Sequence, residues 1–162
     1  VPYTGIILST REKPELRRDL FSVGVSQISA GSKTSPGSYD EEHEKKKELE
    51  QFQLGDHRSL GEVVMDVCEL GYLPSFCTAC YRSGRTGDRF MELAKSGNIG
   101  KICSPNALAT FEEYLLDFAS AENIESAEKE LYKQIEKLPE FERKRTKKMI
   151  EDLKKGDRDV YF

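Results

Sequence analysis

Three of the four cysteines stand as Cys77-Thr78-Ala79-Cys80 and, after twenty-two intervening residues, Cys103. A Cys-x-x-Cys turn aims two thiolates at one point, and a third thiolate from further along the chain leaves one corner of a metal site without a protein ligand. An open corner is where an external ligand binds. Arg82, Arg85, Arg89, Lys95 and Lys101 surround these thiols, opposed by Asp88 and Glu92, and such a positive excess lowers thiol pKa and offsets the charge of a thiolate-bound cluster. The spacing reads first as a metal site, with a redox dithiol and a purely structural role as the competing readings. It does not separate zinc from iron and sulfur, and His57 or Cys68 would supply the fourth ligand of a closed zinc site. Cys68 itself, in step with Val64, reads better as a small core hydrophobe.

A second group of reactive residue types lies near the start. Ser9-Thr10-Arg11-Glu12 and Ser29-Ala30-Gly31-Ser32-Lys33 each follow a short apolar run. As parallel strands, those runs would place both segments at their carboxyl ends, where βα barrels carry functional groups. An arginine beside small hydroxyls suits a carboxylate ligand, which its planar fork grips with two bonds. A surface ion pair from Arg11 to Glu12 or Glu15 is the competing reading.

These groups need elements to hold them. Gly5 to Ser9 reads as a buried strand, Pro14 opens a short helix with Leu16, Leu20 and Phe21 on its apolar side, and Phe21 to Ile28 turns into a second strand. After a charge-rich stretch, everything beyond Gly55 reads as helical. Ser59-Leu60-Gly61-Glu62 is a capping box, followed by an inner stripe of Leu60, Val63, Val64, Val67 and Cys68. Thr86-Gly87-Asp88 starts a helix with Phe90, Leu93 and Ala94 inward and Gly97-Asn98 as its stop. Cys103-Ser104-Pro105 reads as the cap and first turn of the next helix, with Leu108, Phe111, Leu115 and Phe118 inward, so Cys103 would sit at the positive end of a macrodipole. Two last helices flank Pro139. Their stripes are Ile124, Ala127, Leu131, Ile135 and Leu138, then Phe141, Arg145, Met149, Ile150 and Leu153 before Gly156, and a tail ends in Tyr161 and Phe162, which are expected to dock. The resulting division is 1–38, a charged linker at 39–55, and a helical domain at 56–162, with a mainly α fold.

Composition limits the setting. The 162 residues are 37% hydrophobic and 33% charged with a net charge of −4, poor footing for a nucleic-acid binder that works by neutralising phosphate. No membrane span or signal peptide is read, the missing initial Met suggests a cut piece, and a cytoplasmic protein with free thiols is expected.

Taken together, Leu8-Ser9-Thr10-Arg11-Glu12, Gln27-Ile28-Ser29-Ala30-Gly31-Ser32 and Cys77-Thr78-Ala79-Cys80-Tyr81-Arg82, with Gly84-Arg85-Thr86-Gly87-Asp88-Arg89-Phe90-Met91, closely resemble the tyrosine lyase family that matures FeFe hydrogenases. The resemblance covers the last strands of a radical S-adenosylmethionine barrel and the complete carboxyl-terminal domain of that family. It implies an enzyme that cleaves L-tyrosine to p-cresol, carbon monoxide and cyanide and assembles an iron-carbonyl-cyanide unit at an auxiliary 4Fe-4S cluster, with or without an extra iron. By the same resemblance Cys77, Cys80 and Cys103 hold that cluster, and Arg82, Arg85 and Arg89 stand around it and orient anionic fragments such as cyanide. Arg11 would grip the tyrosine carboxylate, with Ser9, Thr10, Ser29 and Ser32 lining that end of the barrel. S-adenosylmethionine and the radical-generating 4Fe-4S cluster would belong to an amino-terminal part, since no Cys-x3-Cys-x2-Cys occurs here, and the piece alone is expected to be inactive. Other hydrogenase maturation proteins, including a GTPase scaffold, are the implied partners. Exposed barrel strands would favour self-association, and the segment from Leu73 to Lys101 would take its order from the metal. The alternative is a zinc-stabilised helical interaction module.

Overall fold

The computed structural model describes residues 5–37 and 50–162; residues 39–49 of the expected linker lie outside the described residues. Near the start, the two apolar runs become short parallel strands. β1 (Ile7–Leu8) pairs with β2 (Gln27–Ile28), Ile7 opposite Gln27 and Leu8 opposite Ile28. Between them runs α1 (Pro14–Phe21), opened by a proline whose missing amide is no loss in a first turn.

The strand, helix, strand order is as expected, but its interior is not. Ile7 is 67% exposed and Leu16 is 44% exposed, so neither the strand nor the expected apolar side of α1 is buried. Arg17 is the buried residue of α1. Its guanidinium bonds the Asp56 carboxylate and the Ser29 carbonyl. Two strands of two residues have too little apolar surface to cover a face, and a paired charge fills the interior instead.

That pairing moves the expected boundary. The chain packs as two units, Val1–Val63 and Val64–Phe162, so residues 56–63 belong with the first. Gly55 and Asp56 both donate their amides to the Thr10 carbonyl, at 2.9 and 3.0 Å, and Arg58 adds two side-chain bonds to Asp56.

The division falls within α2 (Leu60–Glu69). Its capping box forms: Ser59 donates its amide to Glu62 Oε2 at 2.8 Å and Glu62 donates its amide to Ser59 Oγ at 3.3 Å. Val63, Val64, Val67 and Cys68 are buried, while Leu60, at the first position, is exposed. α3 (Ala79–Arg82) and α4 (Gly87–Lys95) lie in the segment expected to depend on a metal. Phe90, Leu93 and Ala94 of α4 are only half-buried.

The core of the second unit is built by α5 (Gly100–Phe118), α6 (Ala121–Glu136) and α7 (Glu140–Lys154), each packed on the other two. Leu108, Phe111, Leu115, Leu131, Ile135, Ile150 and Leu153 meet there, together with Val64 and Cys68 of α2. α5 starts three residues before Cys103, not after it. Asn98 and Ile99 accept the first helical amides, from Lys101 at 3.1 Å and Cys103 at 2.8 Å, and Pro105 then lies inside the helix, where it removes one bond near an end already short of them. Phe118 and Phe141, expected inward, are 77% and 68% exposed, and Arg145 is exposed as well. Glu142 and Thr146 take the inner positions of α7, where Thr146 returns its hydroxyl to the Glu142 carbonyl at 2.8 Å. Gly156, at φ 109°, closes α7 as expected. Among the described residues no helix is long and apolar enough to cross a membrane.

Candidate functional site

α5 positions the cysteine turn from below. Phe76 donates its amide to Thr110 Oγ1 at 3.3 Å and stacks on Tyr114 with ring centroids 4.9 Å apart, which fixes the residue before Cys77. The Ala79 amide then points at Cys77 Sγ from 3.4 Å, and the Arg85 amide bonds the Cys80 carbonyl at 2.8 Å. An amide aimed at a cysteine sulfur is an arrangement that tunes iron-sulfur ligands. Phe76, Thr110 and Tyr114 carry no periodic or motif signal that marks them as supports for the cysteines.

Cys77 and Cys80 are half-buried, Cys103 is exposed as a residue, and all three are free thiols. Partial burial of its sulfur pushes the Cys103 thiol up, and the neighbouring Cys80 and Cys77 push it further, with Arg85 opposing. So the three cysteines and Arg85 lie within electrostatic reach of one another. The direction is opposite to the lowered pKa expected from the basic surroundings: burial and crowding of like charge outweigh the arginine. A metal group binding all three sulfurs would relieve that crowding.

Zinc and a cluster make different demands on the thiols. A single zinc holds thiolates about 3.8 Å apart, from bonds of about 2.3 Å in a tetrahedron, whereas a cluster spreads them over separate irons. Among the described residues no three His, Cys, Asp or Glu side chains are close enough to hold one ion. Cys68, a candidate fourth zinc ligand, is in the core, where burial, with help from Glu130 and Glu69, pushes its thiol to about 12. His57, the other candidate, is exposed.

Arg82 and Arg85 are not simply turned to solvent. Arg82 Nη1 lies 3.0 Å from Asp159, with its guanidinium 4.6 Å from the Tyr161 ring centre. Arg85 donates to the Phe162 carbonyl at 3.3 Å. Arg89 is exposed and approaches the Gly84 turn.

In the first unit, the segments after β1 and β2 lie at the same end of the parallel pair. Arg11 is exposed, its guanidinium 4.7 Å from the Phe52 ring centre, and among the described residues it has no carboxylate partner. Neither Glu12 nor Glu15 holds it, so the competing surface pair is not formed. Ser9 is exposed and accepts the Arg11 amide at 3.3 Å; Ser29 and Ser32 are half-buried. Thr10 is 3% exposed, and its carbonyl anchors Gly55 and Asp56. Asp56 and Arg17, which complete this support, are polar residues that sequence patterning sends to the surface.

Residues 1–73 match the Biotin and Thiamin Synthesis associated domain. Over 73 residues, 45% of the chain, it is 37% identical to the 2-iminoacetate synthases of Salmonella typhimurium and Escherichia coli, and spans 19% of each of those relatives. Over its whole length it superimposes, with a TM-score of 0.91 and 51% identity, on 35% of the chain in a crystal structure of HydG, a maturase of the FeFe-hydrogenase.

Proposed function

This chain is HydG-like from end to end and resembles that maturase's carboxyl-terminal part, and from this we propose that it is the carboxyl-terminal portion of a radical S-adenosylmethionine L-tyrosine lyase. The observation that carries the reading is where the likeness extends. The 2-iminoacetate synthases match over 73 residues, whereas HydG matches over all of the chain, including the helical unit that bears the cysteines. The first unit is then the last strand-helix-strand piece of the barrel, and the second is the auxiliary-cluster domain.

Each residue has a task in that reading. Arg11, with no carboxylate partner among the described residues and steadied by Phe52, offers its fork to the tyrosine carboxylate, with Ser9, Ser29 and Ser32 beside it and Thr10 holding the backbone. Cys77, Cys80 and Cys103 hold the auxiliary 4Fe-4S cluster, and Arg82 and Arg85 keep positive charge beside it. A cluster on three thiolates supplies an iron with an open position, suited to collecting diatomic ligands. The whole enzyme would turn tyrosine into p-cresol, carbon monoxide and cyanide, with S-adenosylmethionine and a second 4Fe-4S cluster bound by its amino-terminal part, and pass an iron-carbonyl-cyanide product to other maturation proteins in the cytoplasm. This chain by itself holds the auxiliary cluster without catalysing cleavage.

The deciding experiment is anaerobic reconstitution with iron and sulfide, read by metal analysis and by electron paramagnetic resonance after reduction. The expected result is about four irons per chain and a reduced-cluster signal, both lost when Cys77, Cys80 and Cys103 are all replaced by Ser. Bound zinc with no cluster signal would reject the lyase reading of this domain in favour of a zinc-stabilised interaction module.

A further inference from the structure

The end of the chain pairs acid and aromatic residues, Asp157 to Phe162, with the arginines of the cysteine turn. Five contacts pin this tail. Arg158 lays its fork on Asp117 at 2.6 and 2.9 Å. Asp159 donates its amide to Glu113 at 3.2 Å while held at φ 60°, the one non-glycine residue with positive φ among those described, and such a conformation persists where surroundings enforce it. Phe162 donates its amide to the buried Asn106 Oδ1, and its ring carries Arg145 at 3.7 Å from its centre and Phe141 edge-on. All three anchors, Asn106, Glu113 and Asp117, are on α5, the helix that also carries Cys103.

From this frame the tail reaches the site. Asp159 and Tyr161 take Arg82, and the Phe162 carbonyl takes Arg85 Nη2. Arg85 donates its main-chain amide to the Cys80 carbonyl at 2.8 Å, and its Nε is buried with no hydrogen-bond partner among the described residues. A buried N–H without an acceptor is costly. Thiolate or sulfide sulfur beside Cys103 would give it one.

We propose that Asp157–Phe162 is a brace for the cysteine site, and that Arg85 is the positioning residue it holds against the auxiliary cluster, a role that rests on the cluster reading of the same cysteines. Nη2 of the guanidinium is tied to the tail carbonyl, which leaves the buried Nε as the donor that a cluster sulfur would take. A fixed cation and donor there favours retention of an anionic cluster and eases its reduction.

The test uses the full chain, reconstituted anaerobically, as wild type, Arg85→Met, Arg85→Lys, Phe162→Ala and Lys148→Met. Retention of iron against a chelator and the midpoint potential of the cluster are measured, with thermal unfolding of the iron-free chains as the control for folding. Arg85→Met should weaken iron retention by about 10- to 100-fold, the usual cost of an outer ligand-supporting group, and move the potential to more negative values. Arg85→Lys should recover the potential more than the retention, because it restores charge but not the fork. Phe162→Ala should shift both readouts in the direction of Arg85→Met, and Lys148→Met, an exposed change on α7, should change neither. A folded Arg85→Met chain with wild-type retention and potential would overturn the proposal, as would a Phe162→Ala chain altered only in thermal unfolding. Failure of the wild-type chain to take up any cluster would overturn the cluster reading and the brace together, an outcome distinct from a loaded wild type with unaffected variants.

Discussion

A buried carboxylate gripped by two guanidiniums makes the first unit sensitive to acid. Burial raises the Asp56 pKa, but bonds from Arg58 and the charge of Arg17 outweigh it and bring the group to about 2 from an ordinary 3.8. The folded value lies below the unfolded one, so the stabilisation is complete above about pH 4 and is lost as pH falls from there toward 2; it is worth about 2 kcal/mol. Urea unfolding of wild type and Asp56→Asn between pH 6 and pH 2.5 checks this. The variant should be weaker by about 3 kcal/mol at pH 6, with Arg17 left buried and unpaired, and the gap should narrow in acid; a gap independent of pH would reject the assignment. Gly55, beside it, is fixed by space. A Cβ there would lie 2.3 Å from the Arg11 carbonyl oxygen and 2.7 Å from Glu12 carbon, both main-chain atoms that cannot swing aside. Gly55→Ala should therefore cost about 1–3 kcal/mol in unfolding free energy, and a variant as stable as wild type would show that the two segments are not in that contact.

Three helices of the second unit meet at one ammonium. Lys154 on α7 lies 3.2 Å from Glu112 on α5 and bonds Glu128 and the Tyr132 hydroxyl on α6 at 2.9 and 3.1 Å. Glu112 is fully buried, and burial pushes its carboxyl up against the opposing pull of Lys154. With the folded value raised, the unit is most stable below the ordinary glutamate range and loses stability as pH rises from there through the folded value. Lys154→Ala removes the compensating charge and should cost about 3 kcal/mol at neutral pH, less in acid, and Glu112→Gln in the same chain should restore most of it. Guanidinium unfolding of the single and double variants measures the rescue, and its absence would mean that Glu112 does not need the lysine. Such a buried network is what apolar periodicity misses. Pro139 and Gly156 made the boundaries of the last two helices legible, and Leu131, Ile135, Ile150 and Leu153 fell on the inner face as spaced. Glu112, Thr146 and Asn106 share that interior because each finds a partner there, a condition set by tertiary contacts. Pro105 misled for the converse reason: a proline near a helix start favours the first turn, but upstream carbonyls extended α5 past it.

At the scale of the molecule, the cysteines stand out in the sequence because their spacing is a local pattern, whereas the contacts around them leave no such mark. Arg85 meets Phe162 across 77 positions and Arg17 meets Asp56 across 39, distances over which no sequence period carries information. The same holds for the sheet, whose order was readable and whose lack of cover was not. Among the described residues it has two strands, each with an unpaired edge, and Ile6, Ile7 and Val23 stand 54%, 67% and 70% exposed around it. Open edges with apolar flanks recruit further strands, and a second copy of the chain is the one always present. Sedimentation of this chain should show an apparent mass that climbs with concentration, and Ile7→Lys should hold it at the monomer by placing a charge where strands would meet. The iron-free cysteines must be kept reduced throughout, so that disulfide-linked dimers are not counted. In a longer polypeptide that carries upstream parallel strands, those strands take the same edge and the concentration dependence should vanish without any substitution. A wild-type chain that stays monomeric at high concentration would mean that the short strands are protected by their own twist and length, and that the apolar flank is tolerated as it stands.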